Sequence, residues 1–225
     1  MKVWVKKMYK AIMFDLDGTL LDTREGVEYA VKKTISQLGL EMPSNEILHE
    51  YVGPPMQWSF LIHYKLKEKD ALDAATLFRK IYKEQSLLKA KTYNRVYETL
   101  DKLKKAGIKI CVATNKSHNN AVSVMEHFGI LKYCDSMHGS DMAGVLKKVD
   151  IIRLCLKDIK LLESEVLYVG DSEFDYEGAS RAQIDFLGVT YGFGFKRNEK
   201  YSFDVIDSIS DLINYIGIDV YKKDI

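Results

Sequence analysis

Apolar residues fall along this chain in two rhythms. Short, largely apolar runs at 11–14, 108–113, 166–169 and 185–189 are too brief and too continuous for amphipathic helices. They read as strands buried on both faces, the pattern of a parallel sheet. Elsewhere the period lengthens to that of a helix. Val27, Ala30, Val31, Ile35 and Leu38 share one face, and Gly39 stops it. Asp22 and Glu25 have the spacing of a capping box for that helix. A second short helix begins at Ser44 and ends before Gly53-Pro54-Pro55, and a third covers 56–64. A fourth runs from about 70 to 88, with Leu72, Ala75, Phe78 and Tyr82 inward.

The stretch 21–91 thus reads as helical throughout, with no alternating strand. After Thr92 helices and strands alternate. A helix over 94–106, with Val96, Leu100 and Leu103 inward, leads to the strand at 108–113, which breaks at Thr114-Asn115-Lys116. Ser117 opens a helix that Gly129 stops, and a short strand is expected at 136–138. A helix over 149–160, the strand at 166–169, a helix over 176–182 and the strand at 185–189 follow. A weak strand near Val205 and a helix over 209–216 close the pattern. The prediction is an α/β core, a parallel sheet with helices on both faces, built from 1–20 and 92–225. Residues 21–91 form an inserted helical domain in this reading.

Composition narrows the function classes. The 225 residues carry a net charge of +1, so no overall basic field points to nucleic acid or to an anionic membrane. No apolar run approaches the length of a membrane span, and 1–10 has neither the apolar core nor the small-residue site of a secretion signal. Cys111, Cys134 and Cys155 are odd in number and lack metal-type spacing, and Cys111 lies in an apolar run. A cytoplasmic protein is expected. His49, His63, His118, His127 and His138 show no ligand spacing on a common element.

The chemistry gathers where strands end. The run at 11–14 leads directly into Asp15-Leu16-Asp17-Gly18-Thr19. Aspartate is disfavoured in strands, and two carboxylates one residue apart repel unless a cation, a proton or a substrate intervenes. Thr114-Asn115 and Gly170-Asp171-Ser172 also follow strand cores. In an open α/β sheet the carboxyl ends of the strands line the ligand crevice, so these segments converge there. Each also has a plain structural reading. Gly18-Thr19 suits a turn, Thr114-Asn115 a helix-capping loop, and Asp175 the first turn of a helix. Lys147 and Lys148 suit a solvated surface.

Taken together, these segments resemble the haloacid dehalogenase-like hydrolase superfamily. Asp15-Leu16-Asp17-Gly18-Thr19 has its D-x-D-x-T form, Thr114-Asn115 its second motif, a helix-opening lysine its third, and Gly170 to Asp175 its G-D-x-x-x-D form. The helical insert resembles that family's C1-type cap on a Rossmann-like core. Gly53-Pro54-Pro55 and 189–194 resemble the phosphoglycolate phosphatase-like branch. The family's frequent proline after the motif-three lysine is missing. Lys148 fits the buried helix face starting at Ile151-Ile152 better than Lys147 does, and both stay open.

The resemblance implies a phosphatase using Mg²⁺, held by Asp15, Asp171 and the backbone carbonyl of Asp17, with Asp175 in support. It implies that Asp15 is the nucleophile, forming an aspartyl-phosphate, and that Asp17 is the acid and base. Thr114, Asn115 and Lys148 would hold the phosphate. An aspartate at 17 favours phosphoryl transfer over dehalogenation, because a halide leaving group needs no acid. Trp58, Phe60 and His63 suit either substrate contact or cap packing, and Arg24 either a substrate anion or the surface. The implied substrate is a small phosphorylated metabolite of phosphoglycolate or nucleotide type, acted on by a monomer or dimer without nucleic acid or membrane. The alternatives are a sugar phosphomutase of the same fold and a non-catalytic binding protein that retains it.

Overall fold

Ala11–Phe14 (β1) is buried at every residue and lies inside a sheet of six strands among the described residues. The structure, a computed structural model, describes residues 8–141 and 145–218; the expectation for 1–10 therefore falls outside it up to Lys7. After β1 comes the short strand Leu21–Asp22 (β2), then helices Arg24–Gln37 (α1), Asn45–His49 (α2), Met56–Tyr64 (α3) and Glu68–Ile81 (α4). A π-helical turn, Tyr82–Ser86, continues α4, and Lys91–Thr92 (β3) pairs antiparallel with β2. The alternating part follows: Val96–Lys105 (α5), Lys109–Ser117 (β4), His118–His127 (α6), Ser136–Ser140 (β5) and Lys148–Ile159 (α7). Val166–Gly170 (β6), Glu173–Arg181 (α8), Asp185–Val189 (β7), Asp204–Ile206 (β8) and Asp211–Tyr215 (α9) complete it.

The sheet order is β5-β4-β1-β6-β7-β8, and each neighbouring pair is parallel. Alternate residues serve opposite faces. Ile12 and Phe14 join Ile110, Val112, Leu167 and Val169 beneath α5, α6 and α9. Ala11 and Met13 join Cys111, Ala113, Val166 and Tyr168 beneath α7 and α8. Two covered faces explain why the strands read as continuous apolar runs rather than alternating ones. After β1 the chain builds β4 and β5 on one side and then crosses to β6 on the other, so the switch point where a crevice opens at the strands' carboxyl ends lies beside β1.

Several local expectations change. Asp22 does not cap α1. It is drawn into the pairing with Lys91, Thr23 takes the cap position, and the Asp22 carboxylate accepts the Arg24 N–H at 3.2 Å. The helix expected over 70–88 is interrupted by the π turn after Ile81. Its buried stripe is Ala71, Ala74, Ala75, Phe78 and Ile81, while Leu72 is 39% exposed. Small alanines allow α1 and α3 to pack closely on α4, and Leu72 falls outside that stripe. Strand β4 does not break at Thr114 but continues to Ser117 through a register shift against β5. Helix α8 starts at Glu173, earlier than expected, because Ser172 and Asp175 form a capping box.

Among the described residues, no helix is long and apolar enough to cross a membrane. Ile12, fully buried on the central strand, sets an expectation for stability. Ile12→Ala should cost about 2–5 kcal/mol in urea unfolding, and a loss below about 1 kcal/mol would show that this face is not closely packed.

Candidate active site

The turn after β1 brings Asp15 and Asp17 to a cavity of about 450 Å³, lined also by Thr114, Asn115, Lys116, Lys148 and Asp175. Gly18 makes this turn possible, with φ at +85°. A Cβ there would also collide with the Asp171 carboxylate, so the glycine lets Asp171 pack directly on the turn.

Lys148 is the first residue of α7, where the helix dipole disfavours a cation. Two carboxylates outweigh that. Its Nζ donates to Asp15 Oδ1 at 2.7 Å and lies 2.8 Å from Asp175 Oδ1. It also reaches the Ala113 carbonyl and the Tyr168 hydroxyl, both at 3.3 Å. Its stem runs against α8 at Gly178, where a Cβ would strike the Lys148 side chain. Lys147 is the exposed N-cap of the same helix. Of the two lysines left open by the sequence, Lys148 is the one in contact with Asp15.

Asp175 is fixed from three sides. Its Oδ2 accepts the Ser172 N–H at 3.1 Å and hydroxyl at 2.7 Å, and its Oδ1 lies 3.2 Å from the Tyr168 hydroxyl. The Phe193 N–H donates to Asp171 Oδ2 at 2.7 Å, from the Gly-rich stretch after β7. Oxygens of Asp15, Asp171 and Asp175, all buried, come within 4.8 Å of one another. If all three are ionised, they carry −3 against the single charge of Lys148, a net of −2 (−3 + 1). Burial is the main reason that the Asp15 carboxyl is pushed up to about 7; Asp175 and Asp17 add to this, and Lys148 opposes it. Burial, and then Asp175 and Asp15, raise Asp171 well above the usual carboxylate range. Hard carboxylate oxygens with a surplus of two negative charges suit a divalent cation that prefers oxygen. Asp175, expected to support the metal, stands in this cluster while its oxygens also meet Lys148, Tyr168 and Ser172. The Asp17 carboxylate does not belong to it.

Asp17 has a partner of its own, which the sequence reading missed. Lys116 Nζ donates to both Asp17 oxygens at 2.9 Å and to the Tyr82 hydroxyl at 3.0 Å. The Lys116 side chain is only 5% exposed. Burial opposes its charge, but Asp17 and Tyr82 push its pKa up, so the ammonium stays protonated. A signal was available. Thr114 and Lys116 are two apart in extended chain and therefore share a face. Thr114 itself is buried, and its Oγ1 accepts the Lys116 N–H at 3.2 Å.

Other candidates lie elsewhere. Phe60 is buried against Tyr51, with ring centroids 5.4 Å apart. Trp58 meets Phe174 edge-on at 5.8 Å, and His63 lies 3.6 Å from Glu50. Arg24 stands over the Phe193 ring at 5.2 Å. None of these four lines the cavity.

The raised Asp15 gives a signed pH expectation. The folded state binds its proton more tightly than the unfolded chain does, so Asp15 disfavours folding increasingly as pH rises from about 4 to about 7. A divalent cation competes with that proton. The thermal shift produced by added Mg²⁺ should therefore grow between about pH 6 and pH 8. A shift that is flat or shrinks with pH, measured by scanning fluorimetry, would show that Asp15 does not bind the ion.

The profile described as haloacid dehalogenase-like hydrolase matches residues 12–189. A 5'-nucleotidase of Pseudomonas aeruginosa is 33% identical over 187 residues, covering 83% of this chain and 85% of the relative. A phosphoglycolate phosphatase of Vibrio parahaemolyticus is 31% identical over 221 residues, covering 93% and 96%. The crystal structure of a predicted phosphatase from Clostridium acetobutylicum superposes with a TM-score of 0.86 at 31% identity, covering 93% of this chain and 98% of that one. The fold, the strand-end aspartates and these likenesses agree, and the chain belongs to the haloacid dehalogenase-like hydrolase family.

Proposed function

We propose that this protein is a Mg²⁺-dependent phosphatase that hydrolyses a small phosphate monoester through an aspartyl-phosphate on Asp15. The observation that carries the reading is that Asp15 and Asp17 share one cavity, each held by a different lysine. Relatives named as 5'-nucleotidase and phosphoglycolate phosphatase support phosphate ester hydrolysis.

In this reading Asp15 attacks phosphorus, and the bond from phosphorus to the leaving oxygen breaks. Asp17, once released from Lys116 and protonated, gives that oxygen its proton, then regains one from the water that attacks the aspartyl-phosphate, releasing phosphate and free Asp15. Lys148 holds Asp15 in position and offsets the charge of the incoming phosphoryl group. Thr114 and Asn115 orient the phosphate oxygens. Lys116 keeps Asp17 from turning toward Asp15 until substrate arrives, a restraint shared with the Tyr82 hydroxyl. Asp15, Asp171, Asp175 and the Asp17 backbone would hold the cation, which when bound offsets phosphate charge that would otherwise repel the nucleophile.

Residues 21–91 act as a cap in this reading, with 1–20 and 92–225 as the core. The short β2–β3 ribbon, where the chain leaves and returns, supports the division. So does the cavity wall, to which Tyr51, Gln57, Arg79 and Tyr82 of the helical stretch contribute. Such a lid would keep water out during the first transfer.

Release of inorganic phosphate from p-nitrophenyl phosphate, with and without Mg²⁺, tests the activity. Asp15→Asn should abolish turnover, and a covalent phosphate still trapped on that variant would refute the assignment of the nucleophile. Asp17→Asn should lower kcat by about 10²–10⁴-fold, and full activity in that variant would remove it as acid and base.

A further inference from the structure

The cavity contains a half-buried cation that the chemistry above does not use. Lys148 is paired with Asp15 and Asp175, Lys116 with Asp17, and Arg181 lies 3.9 Å from Glu177. Lys147 is exposed, and water screens it. Arg79, on α4, also lines the cavity, but its side chain has no hydrogen bond or ion pair with any described residue. Burial pushes its pKa below the usual value, and the field of Asp141 offsets this only in part. The Asp141 Oδ1 is itself engaged, accepting the Leu146 N–H at 2.9 Å. A guanidinium does not escape by losing its proton, so it remains a partly desolvated charge that feels the field of Asp141 but forms no ion pair among the described residues. Such a group is costly to keep in a cleft and marks a ligand contact.

Gln57, on α3, supports the same point. It too lines the cavity and is half-buried, and its side chain makes no hydrogen bond to a described residue. Arg79 and Gln57 come from the helical stretch, whereas the groups that serve the phosphoryl end come from strand ends and from α7. A planar guanidinium fork matches a carboxylate or a phosphate in two-point contact.

We propose that Arg79, assisted by Gln57, forms a subsite for a second anionic group, so that the preferred substrates are phosphate monoesters whose alcohol part carries a carboxylate or a further phosphate. This rests on reading the cavity as a phosphomonoester site. Neutral alcohols such as simple sugars would leave the guanidinium unpaired and bind less well.

The test is equilibrium binding by calorimetry, with Mg²⁺ in excess, of phosphonoacetate, methylenediphosphonate and ethylphosphonate. The first two carry a second anion, a carboxylate and a phosphonate respectively, and the third carries none. The wild type should prefer at least one of the first two by about 10- to 100-fold, and which of them identifies the second group. Arg79→Met should bring that ratio close to one, and Arg79→Lys should restore part of it. A wild-type ratio near one overturns the proposal, as does a ratio unchanged in Arg79→Met. An equal loss of affinity for all three ligands also counts against it, because the subsite acts on the second charge alone. Hydrolysis of p-nitrophenyl phosphate is read separately, so failure of the phosphatase reading appears there and failure of the subsite appears in the ratio. A protein that hydrolyses p-nitrophenyl phosphate but binds none of the three overturns the subsite alone, and one that does neither overturns both.

Discussion

Negative charge concentrated at the end of β1 is the constraint that the surrounding structure answers. Asp15, Asp171 and Asp175 are buried together, and like charges at that range in a poorly polarisable setting repel strongly. Lys148 offsets one charge, and the rest is met by protons or by a cation. The local architecture follows from this. Lys148 must open a helix in spite of the dipole, its stem must lie against a glycine, and Tyr168 and Ser172 must hold Asp175 in place. Each of these contacts makes sense as part of a charge balance and little sense as packing alone.

Asp17 stands apart from that cluster although only one residue separates it from Asp15. Its ion pair with Lys116 binds the strand-end chemistry to the helical stretch, because the same ammonium contacts Tyr82 at the start of the π turn. π turns recur at functional sites in helices, and this one follows α4 and begins at Tyr82, which lines the cavity. Any movement of α4 relative to the sheet would alter the restraint on Asp17. The cavity is therefore a joint product of two parts of the chain, one supplying the groups that react and the other the groups around them.

Much of this was legible in the sequence, for identifiable reasons. Strands buried on both faces leave continuous apolar runs, so β1 and β7 were readable to their end residues. The paired aspartates stood out because aspartate is poorly suited to a strand end without a compensating charge. Helix starts were harder to read. Asp22 resembled a cap until ribbon pairing claimed it, and α8 began earlier than its apolar period because Ser172 and Asp175 cap each other. Leu72 looked inward by periodicity, but a stripe of alanines allowed closer helix contact and won the buried face.

The sequence by itself determined the sheet, the order of its elements and the convergence of Asp15, Thr114 and Asp171 at one edge, because these depend on periodicity and on chain direction. The tertiary structure alone decided the partners. Lys148 rather than Lys147 meets Asp15, Lys116 holds Asp17, Asp175 joins the carboxylate cluster, and the Arg79 side chain forms no ion pair among the described residues. The physical reason is range. An ion pair depends on a few ångströms between residues as far apart in sequence as Asp17 and Lys116, and no local pattern in the chain encodes that distance.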